Sequence, residues 1–179
     1  FGFEYTIPLY NKDREFKSLQ SVQFLDGDIV YLVASVRPRP KAKEETGDEH
    51  GIVELHATRI DGETGDVNPV DTIIQVEIER FPLVYTASNA AKRMGKFIIR
   101  TSKNNKRILI IHNSERLNSE REFQRIYIYD SNLSLLKSQE RIASEEDSRN
   151  LIPENIVLDN EGSIYFLDEG DLVFLDYFK

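Results

Sequence analysis

The chain states one plan three times. An apolar strand runs into a polar turn and a second strand, and a further strand then ends on aspartate. Ser21 to Leu32, broken at Asp26-Gly27-Asp28, leads to Ile60-Asp61. Lys96 to Ile110, broken at Lys103-Asn104-Asn105, leads to Tyr129-Asp130. Asn155 to Leu167, broken at Asn160-Glu161-Gly162, leads to Leu175-Asp176. Tyr31, Leu109 and Tyr165 align as the anchor of the second strand. Units of this size are blades of a propeller or turns of a solenoid, which bury their apolar faces by stacking on neighbours.

The segments are short, rich in Val, Ile, Tyr and Phe, and punctuated by Asp, Asn and Gly. Strands are predicted over 3–10, 20–26, 29–36, 51–60, 72–80, 95–101, 106–112, 122–130, 134–142, 154–158, 163–168 and 171–177. Only the residues around Ala87 to Met94 hint at a helical period. The expected class is therefore all-β: one β-propeller-like domain over 1–179, made of about three four-stranded antiparallel units near 20–80, 95–142 and 154–179. The third unit runs out after three strands. The segment Phe3 to Tyr10 is expected to supply its missing strand, which would protect a sheet edge. Three blades fall below the usual minimum of about 4. The propeller is then either continued in further sequence or completed by copies of the chain, two making six blades.

Composition removes several classes of function. With 31 acidic against 23 basic residues the net charge is −8, which repels a phosphate backbone, so nucleic acid is not an expected partner. No apolar run approaches the roughly 20 residues that a membrane-spanning helix needs, so no transmembrane segment is expected. The absence of Cys rules out disulfides, thiolate metal sites and Cys nucleophiles, and leaves the compartment open.

Charge contrast marks the candidate contact surface. Arg37, Arg39, Lys41 and Lys43 alternate with Pro38 and Pro40 and precede the acids Glu44 to Glu49. Four cations on an extended segment can grip an acidic partner, or be neutralised by the acids that follow. Arg116 and Arg121 lie in the second charged stretch, 113–121. Insertions on one face of a repeat protein commonly mark its binding face, while solvated spacers are the plainer reading.

Sites of chemistry are scarce. Asp61 to Asp66 and Asp159 to Gly162 resemble calcium loops in composition but lack the full ligand pattern; they read as turns in which Gly takes positive φ and Asp caps the backbone. Asp61 and Asp130 read as turn-capping carboxylates. His50, His56 and His112 have no metal-ligand spacing and no nucleophile motif beside them. Tyr31, Tyr127, Tyr129, Tyr165, Phe166 and Phe174 read as core. No catalytic residue, metal or cofactor is expected.

At Arg125 to Leu136, with its Ile128-Tyr129-Asp130 and Leu133, and at Asn155 to Leu167, with its Asp159, Gly162, Ile164 and Tyr165, the chain resembles envelope β-propeller proteins of Bacteroidetes-type bacteria. Their blades read V-x-x-[YF]-D-x-x-L and then D-x-x-G-N-[IV]-Y-x-L; Ser163 stands where the second pattern has Asn. The resemblance implies an exported protein of the periplasm or cell surface that binds other envelope components, and it brings over no catalytic residue. It also implies O-glycosylation at Thr72, because Asp71-Thr72-Ile73 fits D-[ST]-[ILVAMT]. Asn132-Leu133-Ser134 is a weaker, eukaryotic-type sequon.

The expected function is a non-catalytic propeller module that mediates protein–protein interaction in a bacterial envelope assembly, its partners being other proteins or copies of itself. The alternative is a propeller hydrolase or carbohydrate-binding protein whose acids line a central channel.

Overall fold

The computed structural model describes residues 16–38, 51–78, 97–114, 122–143, 156–168 and 171–175. These form eleven strands: β1 (Phe16–Leu25), β2 (Asp28–Pro38), β3 (Gly51–Ile60), β4 (Asp71–Ile78), β5 (Phe97–Thr101), β6 (Arg107–Ser114), β7 (Glu122–Asp130), β8 (Leu135–Ala143), β9 (Ile156–Leu158), β10 (Ile164–Asp168) and β11 (Asp171–Leu175). Among the described residues there is no helix, and none long and apolar enough to cross a membrane. Strand 3–10 and the helical hint at 87–94 lie outside the described residues.

Each sheet is an antiparallel meander in chain order: β1-β2-β3-β4, β5-β6-β7-β8 and β9-β10-β11. The units expected at 20–80 and 95–142 are thus four-stranded sheets, and the third has three strands. Tight turns account for the meander. Asp26 (φ 50°) and Gly27 (φ 98°) both take left-handed conformations, the requirement of a two-residue hairpin whose twist matches its strands.

Pairing register, read together with the core that each residue enters, gives the equivalent residues. Ile29, Ile108 and Ile164 each lie between a residue of the preceding strand (Phe24, Thr101, Leu158) and one of the following strand (Ile60, Tyr129, Leu175). The next row is Gln23, Val30 and Arg59 in the first sheet, Arg100, Leu109 and Ile128 in the second, and Val157, Tyr165 and Phe174 in the third. The common anchor is therefore Val30, not Tyr31. A slip of one residue along a strand moves a side chain to the opposite face, and Val30, not Tyr31, enters the core against the second sheet.

With that register the three sheets stack in one direction. Val30, Leu32, Ala34 and Val36 face Ile108, Ile110 and Tyr129 in a first core, while Leu109, Ile111, Ile126 and Ile128 face Ile156, Leu158 and Ile164 in a second. The second sheet is buried on both faces, which explains the unbroken apolar run Ile108 to Ile111; a strand covered on one side only would alternate. The sheets approach one another most closely through β1 with β5 and β5 with β9, the first strands of each. Their turns are also linked in series. Asp26 N–H donates to Asn105 O at 3.1 Å, and Asn104 N–H to Asn160 Oδ1 at 3.1 Å.

Candidate functional site

Stacking in one direction leaves unlike faces at the two ends. At the first sheet the face turned away from the second sheet carries the exposed side chains Leu19, Val22 and Phe24, the last 61% exposed, on the β1 side. Their counterparts are covered at the inner junctions: Ile108 and Ile164, equivalent to Ile29, are almost fully buried, as is Leu158, equivalent to Phe24. At the third sheet the uncovered row is Val157, Tyr165 and Phe174, with Phe174 53% exposed and its ring 5.5 Å from that of Tyr165. The equivalent Leu109 and Ile128 are sealed in the second core. Single exposed apolar side chains are ordinary; here each end of the stack carries a row of them.

Phe174 was expected in the core and is instead exposed, because nothing among the described residues covers the outer face of the third sheet. Tyr129 is buried as expected, Tyr127 is partly buried against the first core, and Tyr31 and Tyr165 are half-buried on the end faces. The side chain of Phe166 lies outside the described residues. Burial, and then the neighbouring Tyr127, raises the Tyr129 phenol well above its ordinary pKa, so it stays a neutral donor.

The β4 side of the same face of the first sheet is polar, and Ser35 and Glu54 on it are buried. Ser35 Oγ lies 2.8 Å from His56 Nε2, and His56 Nδ1 lies 3.0 Å from Thr72 Oγ1, a ladder across β2, β3 and β4. A hydroxyl beside an imidazole has the spacing of a nucleophile and its base. In this ladder Ser35 is fully buried, the second imidazole nitrogen meets the Thr72 hydroxyl, and Glu54 stands 3.8 Å away on the Nε2 side, an arrangement that ties three strands together. Glu54 in turn accepts from Arg37 Nη2 at 3.1 Å and Nε at 3.3 Å, a two-pronged pair.

Arg37, expected to grip a partner, is thus engaged by an acid of its own sheet. Arg39, Lys41, Lys43, Arg116 and Arg121 lie outside the described residues, as does His50. Thr72 is exposed on β4, with its hydroxyl in the ladder. Asn132 is exposed in the turn after β7. His112 is buried against the Phe97 ring, 4.7 Å between centroids.

The acidic turns are occupied by their own backbone. Asp61 Oδ1 accepts from Glu63 N–H (2.9 Å) and Thr64 N–H (2.7 Å), Asp130 Oδ1 from Asn132 N–H (2.9 Å) and Ser134 N–H (2.8 Å), and Asp159 Oδ1 from Glu161 N–H (3.0 Å) and Ser163 N–H (2.6 Å). The Thr64 and Glu63 N–H groups hold the Asp61 carboxyl below its ordinary pKa. Burial raises the pKa of Asp159, but donation led by Ser163 outweighs it and the net shift is downward. Among the described residues no group of three or more His, Asp or Glu is placed to hold a metal ion.

A groove of about 700 Å3 opens between the first and second sheets, lined in part by Arg59, Asn68, Asp71, Tyr129 and Asn132. Arg59 spans it: one guanidinium nitrogen lies 3.3 Å from Asp28 Oδ2, and another donates to Ser131 O. The Arg59–Ser131 bond and the bond from Tyr129 Oη to Ile73 O cross from one sheet to the other here.

The end rows were not singled out in the sequence. The signal is present in the adjacent pairs Val157-Leu158 and Ile164-Tyr165, apolar on both faces of their strands, which demands cover on both sides. Comparison with protein-family models, with curated proteins and with solved structures gives no match.

Proposed function

We propose that the chain is a non-catalytic β-propeller module that acts by protein–protein association through the ends of its sheet stack. The observation that carries the reading is the pair of uncovered apolar rows, Phe24 with Val22 and Leu19 at one end and Phe174 with Tyr165 and Val157 at the other. Exposed Phe side chains in such rows gain roughly 25 cal/mol per Å2 of apolar surface when covered, and aromatic anchors supply much of the energy of protein interfaces. Convergence of the first strands β1, β5 and β9 supports a radial arrangement of blades. An envelope setting rests on the motif resemblance at 125–136 and 155–167, and the charged segments 37–50 and 113–121 are proposed as secondary contacts.

The turn acids Asp61, Asp130 and Asp159 accept from backbone N–H groups and so lend no support to a reading in which they converge to bind glycans or hydrolyse a substrate. The test is a photo-activated cross-linker placed at position 24 or 174 of the protein in its native cells. Cross-links to polypeptide at both positions are expected. Their absence at both positions would remove the end faces as interaction surfaces. Deleting residues 38–49 tests the charged segment separately: loss of partner binding with unchanged β-type circular dichroism is expected, and binding that survives takes that segment out of the surface.

A further inference from the structure

The two end faces are complements of each other, and we infer that the partner which covers them is a second copy of this chain, joined head to tail through Phe24 of one copy and Phe174 of the other. The inference rests on the propeller reading above and names the partner of those same faces.

At the junction of the second and third sheets, Leu158 and Ile164 meet Leu109 and Ile128. Their equivalents at the open ends are Phe24 and Ile29 on the first sheet, and Tyr165 and Phe174 on the third. The junction of the first and second sheets uses the same positions, with Val30 set against Ile108. Continuing this series of two established interfaces by one step brings the third sheet's outer row onto the first sheet of a neighbour. The apolar half of that first face is its β1 side, and the first strands are where the sheets already approach most closely. The polar ladder Ser35, His56 and Thr72 lies toward β4, away from this contact.

Blade number selects the stoichiometry. The described residues of each copy form three sheets, and propellers close with about four to eight blades, so two copies supply six, a number within that range. Two-fold symmetry fits, because Phe24 of each copy then meets Phe174 of the other, the reciprocity that a closed dimer requires.

The experiment is light scattering on the full chain as it elutes from a sizing column, with charge-swapped variants. Wild type is expected at twice the 20.7 kDa of one chain. Phe24→Lys and Phe174→Glu are each expected to weaken self-association by about tenfold or more without altering the β-type circular dichroism. Mixing the two variants is expected to restore dimer, since one junction then pairs Lys with Glu and the other is native. Val157→Glu, in the same row as Phe174, serves if Phe174→Glu does not fold. A wild-type monomer overturns the inference, as does a dimer that responds to Phe174→Glu but not to Phe24→Lys, which would be a symmetric contact of third sheets. Monomer in solution together with cross-links from positions 24 and 174 to a different polypeptide would overturn self-closure and leave the interaction module standing.

Discussion

The Tyr129 hydroxyl donates to the Ile73 carbonyl oxygen at 2.7 Å, joining β7 of the second sheet to β4 of the first. Ile73 is the extra residue of a bulge in the β3–β4 pairing, where Leu55 opposes Ile74 and His56 opposes Thr72. A bulge leaves its extra residue outside the ladder, and the neighbouring sheet supplies the missing donor. Tyr129→Phe should lower unfolding stability by about 1–2 kcal/mol, the cost of leaving a partly buried carbonyl without its donor. Urea denaturation measures this; an unchanged midpoint would show that the bond does not hold the sheets together.

Gly62 sits against the backbone of the first hairpin, with its N–H donating to Asp28 Oδ1 at 3.2 Å. A Cβ added there would collide with the Gly27 carbonyl oxygen, and backbone on both sides cannot rotate away. Gly62→Ala should therefore destabilise by about 2 kcal/mol or more, whereas Gly65→Ala, which has open space but a φ of 77°, should cost about 1 kcal/mol from conformation alone. Equal effects in thermal unfolding would contradict the close approach.

Ile110 and Ile111 are neighbours on β6, both fully buried, one in the first core and the other in the second. In a sheet covered on one side only, one of the two would tolerate truncation. Here Ile110→Ala and Ile111→Ala should each cost about 2–5 kcal/mol. A large loss for one and none for the other in chemical denaturation would mean that one of the junctions is absent in solution.

Asp61 and Asp159 have folded-state pKa values below their ordinary ones. The unfolded chain, with carboxyls near about 3.9, then binds more protons than the folded one in that range, so stability rises with pH there. The contribution is fully present above the unfolded pKa and is lost as pH falls through the folded values. Asp61→Asn with Asp159→Asn should flatten the acid limb of melting temperature against pH; an acid limb of unchanged slope would assign acid sensitivity to other carboxyls.

The all-β class and the order of strands are legible because punctuation is local. Asp26-Gly27 and Asn160-Glu161-Gly162 stop strands by turn chemistry, and β3 and β7 span the ranges expected, Gly51–Ile60 and Glu122–Asp130. Facing is not legible in the same way. Matching Tyr31 with Tyr165 by residue type misses the equivalence by one position, since the Asp26-Gly27 hairpin is shorter than the turns of the other two sheets and only cross-strand pairing reveals the slip. Phe174 reads as core by hydrophobicity alone, yet its burial depends on what lies beyond the third sheet. Arg37 reads as a cation offered outward, and only the pairing of β2 with β3 brings Glu54 beside it. The Ser35, His56 and Thr72 ladder is likewise a product of register across three strands.

Because the chain contains no Cys, a disulfide trap reports on the ends of the stack without background. Chains carrying Phe24→Cys and chains carrying Phe174→Cys would be oxidised separately and as a mixture, then resolved without reductant. Sheets that stack in one direction, with unlike complementary ends, predict a linked dimer in the mixture and little in either variant alone. Efficient linkage within one variant alone, or none in the mixture, would contradict it.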